Sequence, residues 1–480
     1  MRAPIKIVRL AHDGSLLMSE PSPSAPSPTN SFLRGSIRSV FIRTSAPIVL
    51  VTMISGLLTV VDAMLLGAFV GTDALTAVTL VFPVSMLLVA LTTMVGIGMA
   101  SIVGRRLGAR DLGGAISTLA SAQGLALAVA GLAMMAFFGF GGHLVNFLAG
   151  GNAELAGMGW SFLAISFATA PAGFLLSIQS DALRMEGRVG FMAMAGVLVT
   201  LANIAFNALL IGVFDFGVAG SAWGTALAQV LGLAVVVIYR LRGRAILPLV
   251  GLRYDGQWRE ILALGVPRSL NFIGISFGSA AILFALHRLA LPQPDMTIAA
   301  YGVVMRLSTF TFLPLMGMSL ALQAIVGNAV GAGQSERAKQ TLYFALGVST
   351  AYGLLVQLLM IGGRDMLGGI FVSDTGVALE VARIIPLSLA AYFAFGPVIM
   401  AASYAQALGK AREAAVLSLG RTYLFAIPLT LVLPLMWGET GVWVAAPISD
   451  VLMLALASLI WWRANRAPAM APSGVGPSKT

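Results

Sequence analysis

Asp62 is the residue best placed to do chemistry in this chain, because of the company it lacks. It is the only charge between Ser45 and Gly71, in the run APIVLVTMISGLLTVVDAMLLGAFVG. A run of that length crosses the ~30 Å hydrocarbon core of a bilayer as a helix, rising ~1.5 Å per residue. An acid near the middle of such a helix costs roughly 2.5–3.5 kcal/mol on insertion scales, so its retention asks for a use. One use is structural, a hydrogen bond to Ser, Thr or Asn on a neighbouring helix. The other is titration, since a carboxyl among apolar side chains is tolerated best when neutral. Its charged form would also attract an organic cation. Proton and cation would then compete for one site, which is a minimal antiport mechanism.

Other polar residues stand in apolar surroundings. Asn203 and Asn207 lie four apart and therefore share a helix face. Arg421 and Asp450 fall at similar depths in adjacent segments, where pairing would cancel much of each insertion cost. They are expected to form a structural latch, with a substrate or relay role as the alternative. Gln179 is a candidate for lining a substrate cavity or for an interhelical bond. Pro47 and Pro171 lead the hinge candidates: Pro171, like several other prolines, lies inside an apolar segment and removes a backbone hydrogen bond, while Pro47 is expected near the start of the first helix, where bending would move Asp62. Cysteine is absent, and His12, His143 and His287 show no ligand spacing. That pattern disfavours disulfides, thiolate catalysis, a metal site or a metalloenzyme, and no cofactor is expected. Without a catalytic His, Cys or Ser–base constellation, a lipid-modifying enzyme is disfavoured too.

The elements that must position these residues are membrane helices. The 480 residues are 58% hydrophobic and 10% charged, with a mean hydropathy of +0.92; a soluble domain is about 25% charged. The expected fold is an all-α polytopic membrane protein of twelve transmembrane helices, as six plus six. Helices are expected near 43–70, 74–104, 113–140, 157–180, 190–212 and 219–240, then 261–289, 298–330, 337–362, 383–408, 414–436 and 441–462. A disordered cytoplasmic arm covers 1–40, rich in Pro and Ser and lacking the apolar core of a signal peptide. The N-terminal bundle covers 41–240, a cytoplasmic linker 241–260, the C-terminal bundle 261–462 and a cytoplasmic tail 463–480. With both termini cytoplasmic, 23 of the 29 Lys and Arg residues fall on that side, which the positive-inside rule favours. The net charge of +10 is thus a topology signal, not a nucleic-acid surface.

The two halves repeat. Ile102-Val103-Gly104 followed by Gly108-Ala109 recurs as Ile325-Val326-Gly327 followed by Gly331-Ala332. Ala46-Pro47 recurs as Val266-Pro267, Glu186-Gly187-Arg188 faces Leu408-Gly409-Lys410, and Gly220-Ser221-Ala222-Trp223 faces Gly441-Val442-Trp443-Val444. Six helices separate the copies, so both halves share one topology and an axis along the membrane normal should relate them. A channel is disfavoured, because duplicated bundles suit rocking better than a fixed pore.

These motifs resemble the multidrug and toxic compound extrusion (MATE) family across nearly all of residues 40–462. The resemblance rests on Pro47…Val61-Asp62…Gly67, Gly104-X-X-X-Gly108-Ala109, Ala170-Pro171, Asn203-X-X-X-Asn207 and Gly220-X-Ala222-Trp223-Gly224-Thr225-Ala226. In the second half it rests on Gly327-X-X-X-Gly331-Ala332, Leu408-Gly409-Lys410 and Gly441-Val442-Trp443-Val444-Ala445-X-Pro447-Ile448-X-Asp450. It implies two six-helix bundles in a V around a central cavity, and a secondary antiporter of a bacterial inner membrane, monomeric, exporting amphipathic or cationic drugs or metabolites against H⁺ or Na⁺. It also implies that Asp62, Asn203, Asn207 and Thr225 form one proton or cation site. Some members carry Asp where this chain has Asn207. Others carry acids in the seventh and tenth helices, and none occurs here in Leu270–Leu286 or Leu387–Leu408. The second departure places the chain closer to the DinF-like than the NorM-like branch, and both favour H⁺ over Na⁺. A lipid-linked oligosaccharide flippase of the same superfamily remains a rival, although the extra helices and basic cavity usual there are not visible.

Overall fold

The computed structural model describes residues 30–254, 256–289, 293–372 and 374–466. Six long helices form the first lobe: α1 (Ile37–Phe69), α2 (Thr72–Gly108), α3 (Leu112–Leu148), α4 (Ala153–Met185), α5 (Val189–Gly212) and α6 (Gly217–Leu241). Their ends are written in local chemistry. Ser36, Asp111 and Asn152 cap α1, α3 and α4 by accepting from backbone N–H groups of the first turn. Asp73 opens α2 and Arg105 and Arg106 close it, matching the helix dipole. The second lobe contains α7 (Trp258–Arg288), α8 (Pro294–Gly331), α9 (Ser335–Gly362), the short α10 (Arg364–Phe371), α11 (Thr375–Ser388) and α12 (Tyr392–Ala407). It continues through α13 (Ala411–Leu419), a π-helical segment (Gly420–Ala426), α14 (Ile427–Val432) and α15 (Pro434–Trp437), and ends in α16 (Glu439–Arg466). Among the described residues, eleven helical stretches are long and apolar enough to span a membrane, or twelve with α11 and α12 counted as one broken span.

That broken span corrects the expectation of a single tenth helix over 383–408. The chain bends by 56° between α11 and α12. Pro386 lacks the N–H that would extend the ladder, and the backbone opens at Leu389–Ala391. Groups freed inside an apolar slab must find partners in the protein. Gln357 of α9 supplies them: its Nε2 donates to the Ala390 carbonyl at 2.9 Å, and its Oε1 accepts from the Phe393 N–H at 3.4 Å.

The expected arm over 1–40 also needs revision at its end. Residues 1–29 lie outside the described residues, but α1 starts at Ile37 and a 3₁₀ turn precedes it at Ser31–Leu33. Phe32 is buried there. Asn30 donates to Asn328 Oδ1 at 2.7 Å, while Arg337 donates to the carbonyls of Phe32, Arg34 and Gly35. The linker between lobes is pinned as well. Buried Arg240 pairs with Glu186 at 2.8 Å and donates to the Leu247 carbonyl, and Glu186 also accepts from the Ile246 N–H.

The lobes meet where the repeats predict symmetry. The Gly104 and Gly327 backbones touch, Gly108 lies against the Asn328 backbone, and Gly331 lies against the Arg105 backbone. A Cβ on Gly331 would come within 1.8 Å of the Arg105 oxygen, so only glycine permits this approach. Each half therefore presents its own copy of the motif to the other. Further contacts, Gly98 on Ile261 and Gly265 on Met94, join α2 to α7. All of these lie in the half of the bundle that carries the linker.

Gln357→Ala should leave two backbone groups unpaired at the bend. We expect the midpoint of thermal unfolding in detergent to fall, with a loss of about 1–3 kcal/mol, and hydrogen exchange at Phe393 to accelerate.

Candidate functional site

α1, α5 and α6 bring the four residues grouped by sequence into one hydrogen-bonded chain. Asn207 Nδ2 donates to Asp62 Oδ1 at 2.8 Å and to Asn203 Oδ1 at 3.1 Å. Asn203 Nδ2 donates to Thr225 Oγ1 at 2.9 Å, and the Thr225 hydroxyl donates to the Ser221 carbonyl at 3.1 Å. Asn203 and Asn207 are buried, whereas Asp62 and Thr225 are partly exposed. Asp62 forms no ion pair among the described residues, so its charge is met only by an amide. Asn207 Oδ1 is buried without a donor and faces Gly224, where a Cβ would approach it to 1.9 Å. Glycine at 224 is thus a requirement of the asparagine.

An amide next to a carboxyl has a specific chemical property. It donates to the ionised carboxylate through nitrogen and, after a flip about its last bond, accepts from the protonated acid through oxygen. Asn207 can therefore bond Asp62 in either state, where an Asp in its place would add a second charge. One carboxylate among neutral oxygens is a poor match to the anionic cage that hard divalent cations require.

A cavity of about 220 Å³ adjoins this chain inside the first lobe. Asn203 and Thr225 belong to both, and Ser55, Ser180, Thr200 and Gln229 add polar groups to its wall. Sequence reasoning missed those four, although helical spacing marks three of them. Ser55 is seven residues before Asp62, Thr200 three before Asn203, and Gln229 four after Thr225, so each shares a face with a site residue. Gln179 is not part of this wall. It is 2% exposed and donates to Gln123 Oε1 of α3 at 2.8 Å. Its neighbour Ser180, about 100° further round α4, reaches the cavity instead.

Pro47 and Pro171 both lie inside continuous helices. Because α1 begins at Ile37, Pro47 stands in its interior and not near its start as the sequence suggested. It leaves the Arg43 carbonyl without its usual helical donor.

Arg421 and Asp450 are brought together in the second lobe. Arg421 sits in the π-helical segment and pairs through Nε with Asp450 Oδ1 of α16. The guanidinium also lies 4.3 Å from the Phe395 ring centroid. Asp450 is 4% exposed, whereas the Arg421 side chain keeps 26% of its surface exposed, so only the acid end of the pair is buried. Arg421→Ala should destabilise the protein by roughly 3–5 kcal/mol, because it strands the buried Asp450 charge, and Asp450→Ala by about 1–3 kcal/mol, because the guanidinium it leaves behind is partly exposed. Chemical unfolding of the double variant should show a loss no greater than either single one, whereas additive losses would mean that the two act independently.

Comparison with known proteins agrees with this architecture. The sequence model of the MatE family matches residues 47–209 and again 267–432, once in each lobe. The chain is 24% identical to the probable multidrug resistance protein YoeA of Bacillus subtilis, over 85% of this chain and 90% of that protein. It is 23% identical to the multidrug export protein MepA of Staphylococcus aureus, over 89% and 94% of the two chains. A crystal structure of MATE in complex with MaL6 superposes with a TM-score of 0.84 at 20% identity, covering 92% of this chain and 98% of that one. With two matches that together span more than half its length, each confined to one six-span lobe, the chain belongs to the MatE family.

Proposed function

We propose that the protein is a secondary antiporter of a bacterial inner membrane that exports amphipathic or cationic small molecules, drugs among them, in exchange for H⁺. Family membership and similarity to two proteins named for multidrug resistance and export support the transport reading. The observation that carries the coupling reading is Asp62, bonded to the Asn207 amide, without a counter-cation and linked through Asn203 to the cavity. When ionised, Asp62 attracts a cationic substrate or takes a proton; when protonated, it repels neither neighbour and lets the cation leave. The lack of acids in Leu270–Leu286 and Leu387–Leu408 is what supports the DinF-like branch over the NorM-like one. With the termini in the cytoplasm, the lobes of this structure are joined on the cytoplasmic side, so alternation would require the α2, α7 and α8 seam to part. Pro47 and Pro171 are the proposed points of bending.

Na⁺ coupling is the second reading, favoured by the donorless Asn207 Oδ1, since an unengaged carbonyl oxygen is a ready alkali-cation ligand. One experiment separates the two. In proteoliposomes loaded with a fluorescent cation, efflux should follow an imposed pH gradient and ignore a Na⁺ gradient; strict Na⁺ dependence would overturn proton coupling. Asp62→Asn should abolish coupled efflux by at least tenfold while the protein still inserts and purifies, because an amide does not titrate at these pH values. Normal coupled efflux by that variant would reduce Asp62 to a packing residue.

A further inference from the structure

Arg268 is a buried charge that the antiport reading does not use. It lies ten residues into α7, about 15 Å from the helix start, and is 7% exposed. Among the described residues it forms no ion pair. Its hydrogen bond runs from Nη2 to Ser319 Oγ of α8 at 3.4 Å, a long contact for a guanidinium. An arginine carries five N–H donors, so most of its bonding capacity is unfilled.

The neighbouring charges do not compensate it. Arg184 of α4 reaches the same stretch of α8, donating to the Leu320 carbonyl at 2.9 Å and to Gln323 Oε1 at 3.2 Å. It is also paired with Asp181 at 2.7 Å, which engages the local carboxylate. Arg184 and Arg268 therefore both donate to one stretch of α8, Ser319, Leu320 and Gln323. Among the described residues that stretch gathers two guanidiniums, of which Arg184 has a paired acid and Arg268 is bound only weakly.

The internal repeat shows that the scaffold does not need a cation here. The two family matches begin at Pro47 and Pro267, so Ile48 of α1 is the counterpart of Arg268. Ile48 is 2% exposed and sits in the apolar core. The same backbone position is thus filled by an ordinary core residue in one lobe and by an underbonded arginine in the other. A charge kept at this depth against both cost and symmetry marks a ligand site.

We propose that Arg268, with Ser319 beside it and Arg184 facing it, is an oxyanion-binding subsite in the interlobe seam. It takes the carboxylate or phosphate end of an amphipathic molecule. The planar guanidinium suits such a group because two N–H donors can meet two oxygens side by side. Its position on α7, between α8 of its own lobe and α4 of the other, opens the subsite to the linker side when the lobes part. This inference adds an anionic end to the accepted molecules. It stands on the surroundings of Arg268, whether or not Asp62 carries protons.

The test uses a matched pair of probes on the full chain in phosphatidylcholine nanodiscs: dansylated undecanoic acid and its uncharged methyl ester. Dansyl fluorescence should show the wild type binding the acid at least ~10-fold tighter than the ester, as expected for a charge-assisted bidentate contact. Arg268→Gln should erase that preference, and Arg268→Lys, which keeps the charge but loses the fork, should retain part of it. If Arg268→Gln does not fold, the wild-type acid-to-ester ratio and its drop in Arg268→Lys decide the matter. A second arm adds phosphatidylglycerol and follows thermal unfolding. Stabilisation of the wild type that Arg268→Gln lacks, without acid preference in the first arm, would identify a lipid headgroup as the source of the oxyanion. No preference and no stabilisation, or a preference unchanged by both substitutions, overturns the subsite. Cation efflux is read separately, so failure of the antiport reading would not be mistaken for failure of this one.

Discussion

A polar group inside an apolar slab has no water to turn to, and this constraint organises the whole molecule. The long helices satisfy their own backbones, and among the described residues they are what is long and apolar enough to cross the membrane. Many Ser and Thr hydroxyls bond back to carbonyls of their own helix, as Thr44, Thr92 and Thr200 do, while the helix interruption and the larger polar side chains draw partners from other elements. Gln357 of α9 meets the opened backbone between α11 and α12. Gln123 and Gln179 meet each other, Arg421 meets Asp450, and Asn207 meets Asp62. Each of these bonds crosses between helices, so the same rule that confines the chain to helices also decides which helices are fastened together.

Close backbone approach does the remaining fastening. Between lipid-embedded helices there is little hydrophobic gain from association, and packing at short range takes its place. The paired glycine motifs of α2 and α8 allow the lobes to touch through backbone near the pseudo-two-fold axis. Side-chain bonds fasten the same seam, among them Gln323 to the Ile97 carbonyl, Asn328 to the Met185 carbonyl and Arg105 to Glu260, so parting the lobes would break them together with the glycine contacts. The first lobe holds a cavity and a partly exposed acid, and the second holds its own ion pair. The helix that carries the acid, α1, also packs on α8 of the other lobe, where Thr52 donates to the Leu313 carbonyl and Gly56 lies against the Leu313 side chain, so the site and the interlobe contact share one helix.

Arg268 departs from the rule of satisfied polar groups, as does Asn207 Oδ1 in a smaller way. In a molecule that pairs its other buried charges this closely, an underbonded group is informative. The internal repeat makes the contrast sharper, because Ile48 shows what the same position holds when only packing is at stake.

The sequence alone was enough for the number of spans, the duplicated halves and the singular status of Asp62. All three follow from local signals: apolar run length, motif recurrence at a nearly constant offset, and one charge in an uncharged stretch. It also grouped Asn203 with Asn207, since a spacing of four settles a shared helix face without further information. It did not reveal the bend between α11 and α12, because a proline marks only a possible break. Whether the backbone opens depends on a partner such as Gln357, distant in the chain. Nor did it separate Gln179 from Ser180, since one step around α4 decides between a buried bond to Gln123 and the cavity wall. Tertiary structure alone decided that Arg421 reaches Asp450 while Arg268 reaches no acid among the described residues. The physical reason is that the cost of burying a charge is set locally by depth, whereas its compensation depends on which other helix lies against it.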